Sequence, residues 1–199
     1  MFVRGHYSLT VKTEPSTEPV TTAEAKEQLR IDSSDEDTFI DTLILAARIA
    51  AENFTGRRLI TTVLEMRLDG FPVGGDAIWI PGPPLIVVNT MVYTHVDGTA
   101  GTSWASSKWT SDIYATPGRI VPAFGESYPA TRDVPNAVTI DYDAGYGAAS
   151  AVPGPIKHAM KMMLAHWWVN REEVVVGVSA ATVPMAAQRL MWPYKVQVF

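Results

Sequence analysis

The stretch "IDYDAGYGAAS", residues 140–150, places glycines straight after a strand-like alternation, where a dinucleotide-binding loop would carry them. That chemistry requires a helix to begin at the glycines, so that its unpaired amides and its dipole face the pyrophosphate. Here "AVPGP" intervenes, and Pro153 and Pro155 have no amide hydrogen to donate. No acidic residue on a second strand follows about twenty residues later, where a ribose contact would lie. The glycines therefore read as a turn and spacer. Nitrogen ligands for a metal are limited to His6, His95, His158 and His166. On one helix His158 and His166 would stand about 80° apart and about 12 Å along the axis, too far to share an ion. His166, beside Trp167, reads instead as a packed or hydrogen-bonded side chain. The acidic run "DSSDED" from Asp32 has Asp37 and Leu43 where a calcium loop needs Gly and Glu, so it reads as helix caps and dipole partners. Asp141 and Asp143 share one strand face, and at that spacing two carboxylates are solvent-facing residues of a half-exposed sheet before they are an acid–base pair. With no G-x-S-x-G elbow, P-loop or zinc-protease helix, the expectation is no enzyme, no cofactor and no metal.

What remains distinctive is aromatic. Trp167 and Trp168 are adjacent near the end of a helix pattern, followed by Arg171, and Trp192, Tyr194 and Phe199 mark the C-terminal stretch. Consecutive helical residues point about 100° apart, so the two tryptophans cannot both enter one small core, and one is expected to face another element or another chain. These six residues are the interface candidates.

Composition agrees with assembly. The 199 residues can bury a real core without metal or disulfide support. Charged residues make up only 19% and hydrophobic ones 47%, which leaves apolar surface for partners. A net charge of −5 gives no general attraction to nucleic acid. The absence of cysteine removes disulfides, thiolate catalysis and cysteine zinc sites, and suits a reducing interior. No run of about eighteen apolar residues exists and the N-terminus lacks a signal-peptide core, so no membrane span or export is expected.

The elements follow from periodicity. Residues 1–20, with two Glu-Pro pairs, read as an extended arm rather than a packed element. Two helices fill 21–58. The first opens on a capping box of Thr21 and Glu24; the second is capped by Ser33 with Glu36, ends at Gly56, and carries Phe39, Ile40, Leu43, Ile44, Ala47, Ala50, Ala51 and Phe54 on one face. The small Ala46, Ala47, Ala50 and Ala51 would let another helix approach closely. Residues 59–145 read as a β insertion: a half-buried strand through Leu64, Met66 and Leu68, then "AIWIP", "LIVVNTMVYTHV", "GRIVPA" and "AVTIDYDA" in one small antiparallel sheet. A long helix over 153–172 buries Ile156, Ala159, Met160, Met163 and Leu164, and 173–199 holds an irregular "VVVGVSAATV", a short helix and an extended tail. The class is α+β: one domain with a helical core, an inserted sheet and extended N- and C-terminal arms.

In this order, "EPVTTAEAKEQLRID", "DEDTFIDTLILAARIAAENFTGRRLIT", "IPGPPL", "AGYG", "VPGPIKHAMKMMLAHWWVNRE" and "MWPYKV" resemble the phage head-tail connector family, also called adaptor or head-completion proteins of tailed phages and prophages. The resemblance implies a virion protein of the neck, made in the host cytoplasm. It implies a ring homo-oligomer, twelvefold to match the portal, that extends the DNA channel and docks a stopper or tail-completion protein. Genomic DNA would pass without sequence-specific binding, and an acidic wall would favour that passage. No catalytic residue is carried over. The C-terminal "WPYKVQVF" is the candidate for reaching the portal. The alternatives are a stopper of the same neck, or a small prophage-encoded enzyme or ligand-binding protein using "AGYG" as the lip of a pocket.

Overall fold

A computed structural model describes residues 7–170 and 184–196. The chain is α+β, as expected, with four α-helices and two small antiparallel sheets among the described residues, but a strand precedes the first two helices where the expected order began with helices. The chain forms two compact units, one of residues 1–15, 61–146 and 196–199, the other of residues 16–60 and 147–195.

The first unit is built of strands. The alternation of Leu64, Met66 and Leu68 against Glu65 and Arg67 gives β2 (Thr62–Leu68), and that of Val138, Ile140 and Tyr142 gives β8 (Val138–Ala144), with these six apolar residues buried. The two pair antiparallel, Leu64 opposite Tyr142 and Met66 opposite Ile140. The larger sheet has the order β1-β2-β8-β4-β5, where β1 is Tyr7–Thr13, β4 is Leu85–Tyr93 and β5 is Thr102–Ser103. Instead of one sheet there are two: β3 (Ile78–Ile80), β7 (Gly118–Pro122) and β6 (Trp109–Asp112) form a second, in the order β3-β7-β6. These strands are short, and prolines bound two of them, Pro81 directly after β3 and Pro117 directly before β7, with no amide to continue a ladder.

Both sheets feed one core, in which Ile78, Ile80 and Ile120 join Leu64, Ile140, Tyr142 and Met91. The fully buried Tyr142 satisfies its hydroxyl by donating to the Pro81 carbonyl at 2.9 Å. Gly118 sits so close to β4 that a Cβ there would lie 2.6 Å from Leu85 Cβ. At one end Phe71 stacks on Tyr128 at 5.1 Å between ring centres and meets Trp104 edge-on at 5.4 Å. Burial pushes the Tyr128 hydroxyl up to about 12.

Within the expected N-terminal arm, Tyr7–Thr13 is a strand and, against expectation, a packed element. Tyr7–Thr13 pairs with β2 from Tyr7↔Leu68 to Val11↔Leu64, and Leu9 and Val11 pack on the core. The reason lies in its own alternation of Tyr7, Leu9 and Val11 against Ser8, Thr10 and Lys12, which is strand-like despite the Glu-Pro pairs that follow.

The second unit is helical. α1 (Thr22–Leu29) opens on the expected capping box: Thr21 Oγ1 accepts from the Glu24 amide at 3.1 Å, and Glu24 Oε2 accepts from the Thr21 amide at 2.8 Å. α2 (Asp37–Thr55) departs from expectation at its start. Glu36 precedes it without a side-chain cap, and Ser33 stands too early to reach the helix; its hydroxyl accepts from the Asp35 amide and donates to the Asp35 carboxylate. Gly56 closes the helix in the left-handed conformation at φ 69°, as read from the sequence. α3 (Gly154–Val169) starts behind Pro153 with Pro155 in its first turn and buries Ile156, Ala159, Met160, Met163 and Leu164. α4 (Met185–Met191) runs into a 3₁₀ turn, Trp192–Tyr194.

One polar cluster ties the helical unit together. Glu52 and Arg48 are each 4% exposed; Glu52 accepts from Arg58 and from the Leu59 amide, both at 2.9 Å, and Arg48 Nε donates to Glu18 at 2.8 Å.

Candidate functional site

The groups that could have carried chemistry are engaged otherwise. Gly145 and Gly147 adopt φ 127° and 103°, backbone states open to glycine, and the Gly145 amide is spent on the Pro84 carbonyl at 2.8 Å. α3 begins only at Gly154, so no helix terminus meets the glycines. His166 Nδ1 lies 3.4 Å from the Asn170 amide nitrogen, whose backbone closes α3. Asp141 takes Lys12 Nζ at 2.6 Å and the Thr90 hydroxyl, and Asp143 takes Asn89 Nδ2 at 2.7 Å. They are cross-strand partners on a sheet face, and Asp141 is more enclosed than a solvent-facing reading implies, its side chain being 18% exposed. Among the described residues no group of three or more His, Cys, Asp or Glu could hold a metal ion, and no helix is long and apolar enough to cross a membrane.

The aromatic candidates separate. Trp167 and Trp168 are both half-buried, and Trp168 packs on Phe39 of α2 with ring centres 5.7 Å apart. Trp168 is thus the tryptophan that closes the helical unit. Trp192 meets Phe54 at 6.3 Å yet stays 62% exposed, and Lys195 Nζ lies over both rings, 5.5 Å from Phe54 and 5.3 Å from Trp192. Arg57 Nε donates to the Tyr194 carbonyl at 2.5 Å, which fixes this corner against the C-terminal end of α2. The structure therefore brings Trp192 and Tyr194 together on α2, away from its Phe39 end where Trp168 packs. Arg171 and Phe199, like the "VVVGVSAATV" stretch, lie outside the described residues.

Two apolar features were missed in the sequence because their residues are ordinary. Leu45 and Ile49 on α2 are 41% and 46% exposed. They recur at i, i+4 about half a turn from the buried Ile40, Ala47 and Ala51, a phase the sequence already contains. A groove of about 630 Å³ is lined by His158 and Met162 of α3 and by Met185, Ala186, Arg189 and Leu190 of α4.

Fold and surface together give an α+β chain that presents aromatic and apolar surface among the described residues. The family described as "Phage gp6-like head-tail connector protein" matches residues 20–114, so the resemblance read from the sequence falls on a family of virion structural proteins and not of enzymes. No curated protein sequence matches the chain. Among solved structures the chain is similar to one in the virion of a native gene transfer agent (GTA) particle, with TM-score 0.77 and 21% identity over 96% of each chain. It is also similar to chains in two GTA particle necks. The first, from an empty particle computed with C6 symmetry, gives TM-score 0.76 at 22% identity; the second, from a native particle computed with C12 symmetry, gives 0.73 at 21%; each covers 96% of this chain and 97% of that one. At these identities the likeness establishes the fold.

Proposed function

We propose that this chain is a head-tail connector of the adaptor type: a subunit that forms a ring beneath the portal in the virion neck, extends the DNA channel and docks the stopper or tail. One observation carries the reading: a connector-family match over residues 20–114 coincides with a fold shared over 96% of the chain with a component of a particle neck. The neck computed with C12 symmetry supports twelve copies. Subunits assembled in the host cytoplasm would join the filled head there, and DNA would traverse the ring without sequence readout. In this reading the helices form the wall between subunits, and the exposed Trp192, braced by Phe54 and Lys195, is the contact toward the portal.

The test is binding to portal-bearing heads. A chain lacking residues 192–199 is expected to fold and to fail to bind. Since that truncation also uncovers Phe54, Trp192→Ala is the companion variant; its side chain is mostly outside the core, so loss of head binding with unchanged melting supports the assignment. Head binding equal to the parent's by both variants refutes it.

A further inference from the structure

A cyclic assembly joins two different patches of the same surface, one on each side of the subunit. The helical unit carries two apolar features on separate faces. Along α2, Asp41, Leu45, Ile49 and Asn53 form an exposed i, i+4 ridge, turned away from the residues that α2 buries. The α3–α4 groove offers Met162, Met185 and Leu190 as an apolar lining with His158 and Arg189 among them, and Met185 is 68% exposed. Methionine-lined surfaces mould to aliphatic knobs.

We propose that the Leu45/Ile49 ridge of one subunit seats in the Met162/Met185/Leu190 groove of the next, so that α2 against α3–α4 is the repeating contact. The inference rests on the ring reading above and names its interface. Charge selects this occupant. α3 and α4 contain no carboxylate and carry Lys161 and Arg189 beside the Lys157 that Glu24 already pairs, whereas residues 32–41, leading into the ridge, contain Asp32, Asp35, Glu36 and Asp41 beside the Asp37 that Lys26 already pairs, and no Lys or Arg. Among the described residues Arg189 pairs with no carboxylate, and Asp41 lies one turn before Leu45. Ridge on ridge would set acid against acid, and groove on groove cation against cation, so a head-to-tail contact is favoured over a symmetric pair.

The chain has no cysteine, which makes the test free of background. Ile49→Cys and Met185→Cys chains, mixed and treated with a short bismaleimide, are expected to give a covalent dimer that neither gives alone, and the double variant a ladder. Arg189→Glu introduced into the Met185→Cys partner is expected to lower the dimer yield at least about tenfold, with recovery when the Ile49→Cys partner carries Asp41→Lys. Self-linking of either single variant overturns the proposal. So does an absent mixed dimer in preparations whose parent chain forms rings by electron microscopy, or linkage of Met185→Cys to a different virion protein; the ring reading would survive all three. If the parent forms no ring either alone or on portal-bearing heads, the ring reading itself fails and the interface with it.

Discussion

Replacing Glu52 by alanine would take one partner from two guanidinium groups and from a backbone amide at once. The carboxylate is 4% exposed; Oε1 accepts from the Leu59 amide at 2.9 Å, while Oε2 accepts from Arg58 at 2.9 Å and lies 3.6 Å from Arg48 Nη1. Removing one partner of a buried ion pair costs about 3–5 kcal/mol, because the other charge stays buried without compensation. Two features place this site at the lower end. Arg48 keeps Glu18 at 2.8 Å, and the Arg58 side chain is 24% exposed and can turn to water. The orphaned Leu59 amide accounts for about 1–3 kcal/mol of the loss by itself. The expected destabilisation is therefore about 3 kcal/mol, and Glu52→Gln, which still offers an oxygen to Leu59, should lose about 1–2 kcal/mol less.

Urea unfolding gives the global cost, and amide hydrogen exchange at Leu59 gives the local one. At 1.4 kcal/mol per decade, Leu59 should exchange about a hundredfold faster in Glu52→Ala. Arg67→Ala is the comparison, since the Arg67–Glu65 pair at 2.7 Å has an Arg side chain 48% exposed and should be worth at most about 1 kcal/mol. Equal costs for the two variants, with Leu59 still protected, would refute the view that the cluster holds the passage out of α2.

Three further expectations follow from packing and capping. Gly118→Ala should cost about 1–3 kcal/mol in a thermal or urea melt, since the new methyl would lie 2.6 Å from Leu85 Cβ and 2.7 Å from its Cδ2; adding Leu85→Ala should cost less than the sum of the separate changes. Thr21→Ala should cost about 1 kcal/mol through loss of the α1 cap. The Thr21 amide, and then Lys157, hold the Glu24 carboxyl below its ordinary range. A depressed folded value means that this stabilisation is present above the unfolded value and is lost as pH falls through the folded one. The unfolding free energy measured from pH 7 down to about 3 should therefore fall more steeply for the parent than for Glu24→Gln.

The helices were legible because their burial has the period of the helix itself. Ile40, Leu43, Ile44, Ala47 and Ala51 were read as one face and are buried together, and Gly56 ends α2 where its freedom at positive φ is needed. Pairing was less legible, since a strand's partner is set by residues far along the chain. Nothing near Leu64 names Tyr142 as its neighbour, and nothing in "IWI" assigns it to a second sheet with "GRIVP". β6 (WTSD) lacks any apolar alternation and is a strand only through its pairing with β7.

For the candidate surface, residue type drew more weight than phase, and the structure adds a feature that only phase carries. Tryptophan is as much a core residue as an interface one, and Trp168 turns out to fill the space against Phe39, whereas Trp192 is left exposed. Leu45 and Ile49 are unexceptional in composition, yet their angular position on α2 puts them opposite the buried face. An exposed aliphatic pair in line with an acid, on a helix that already has a complete core face, is surplus to the fold of one chain. Such surplus is what a subunit needs if a second copy, rather than its own core, is to cover it.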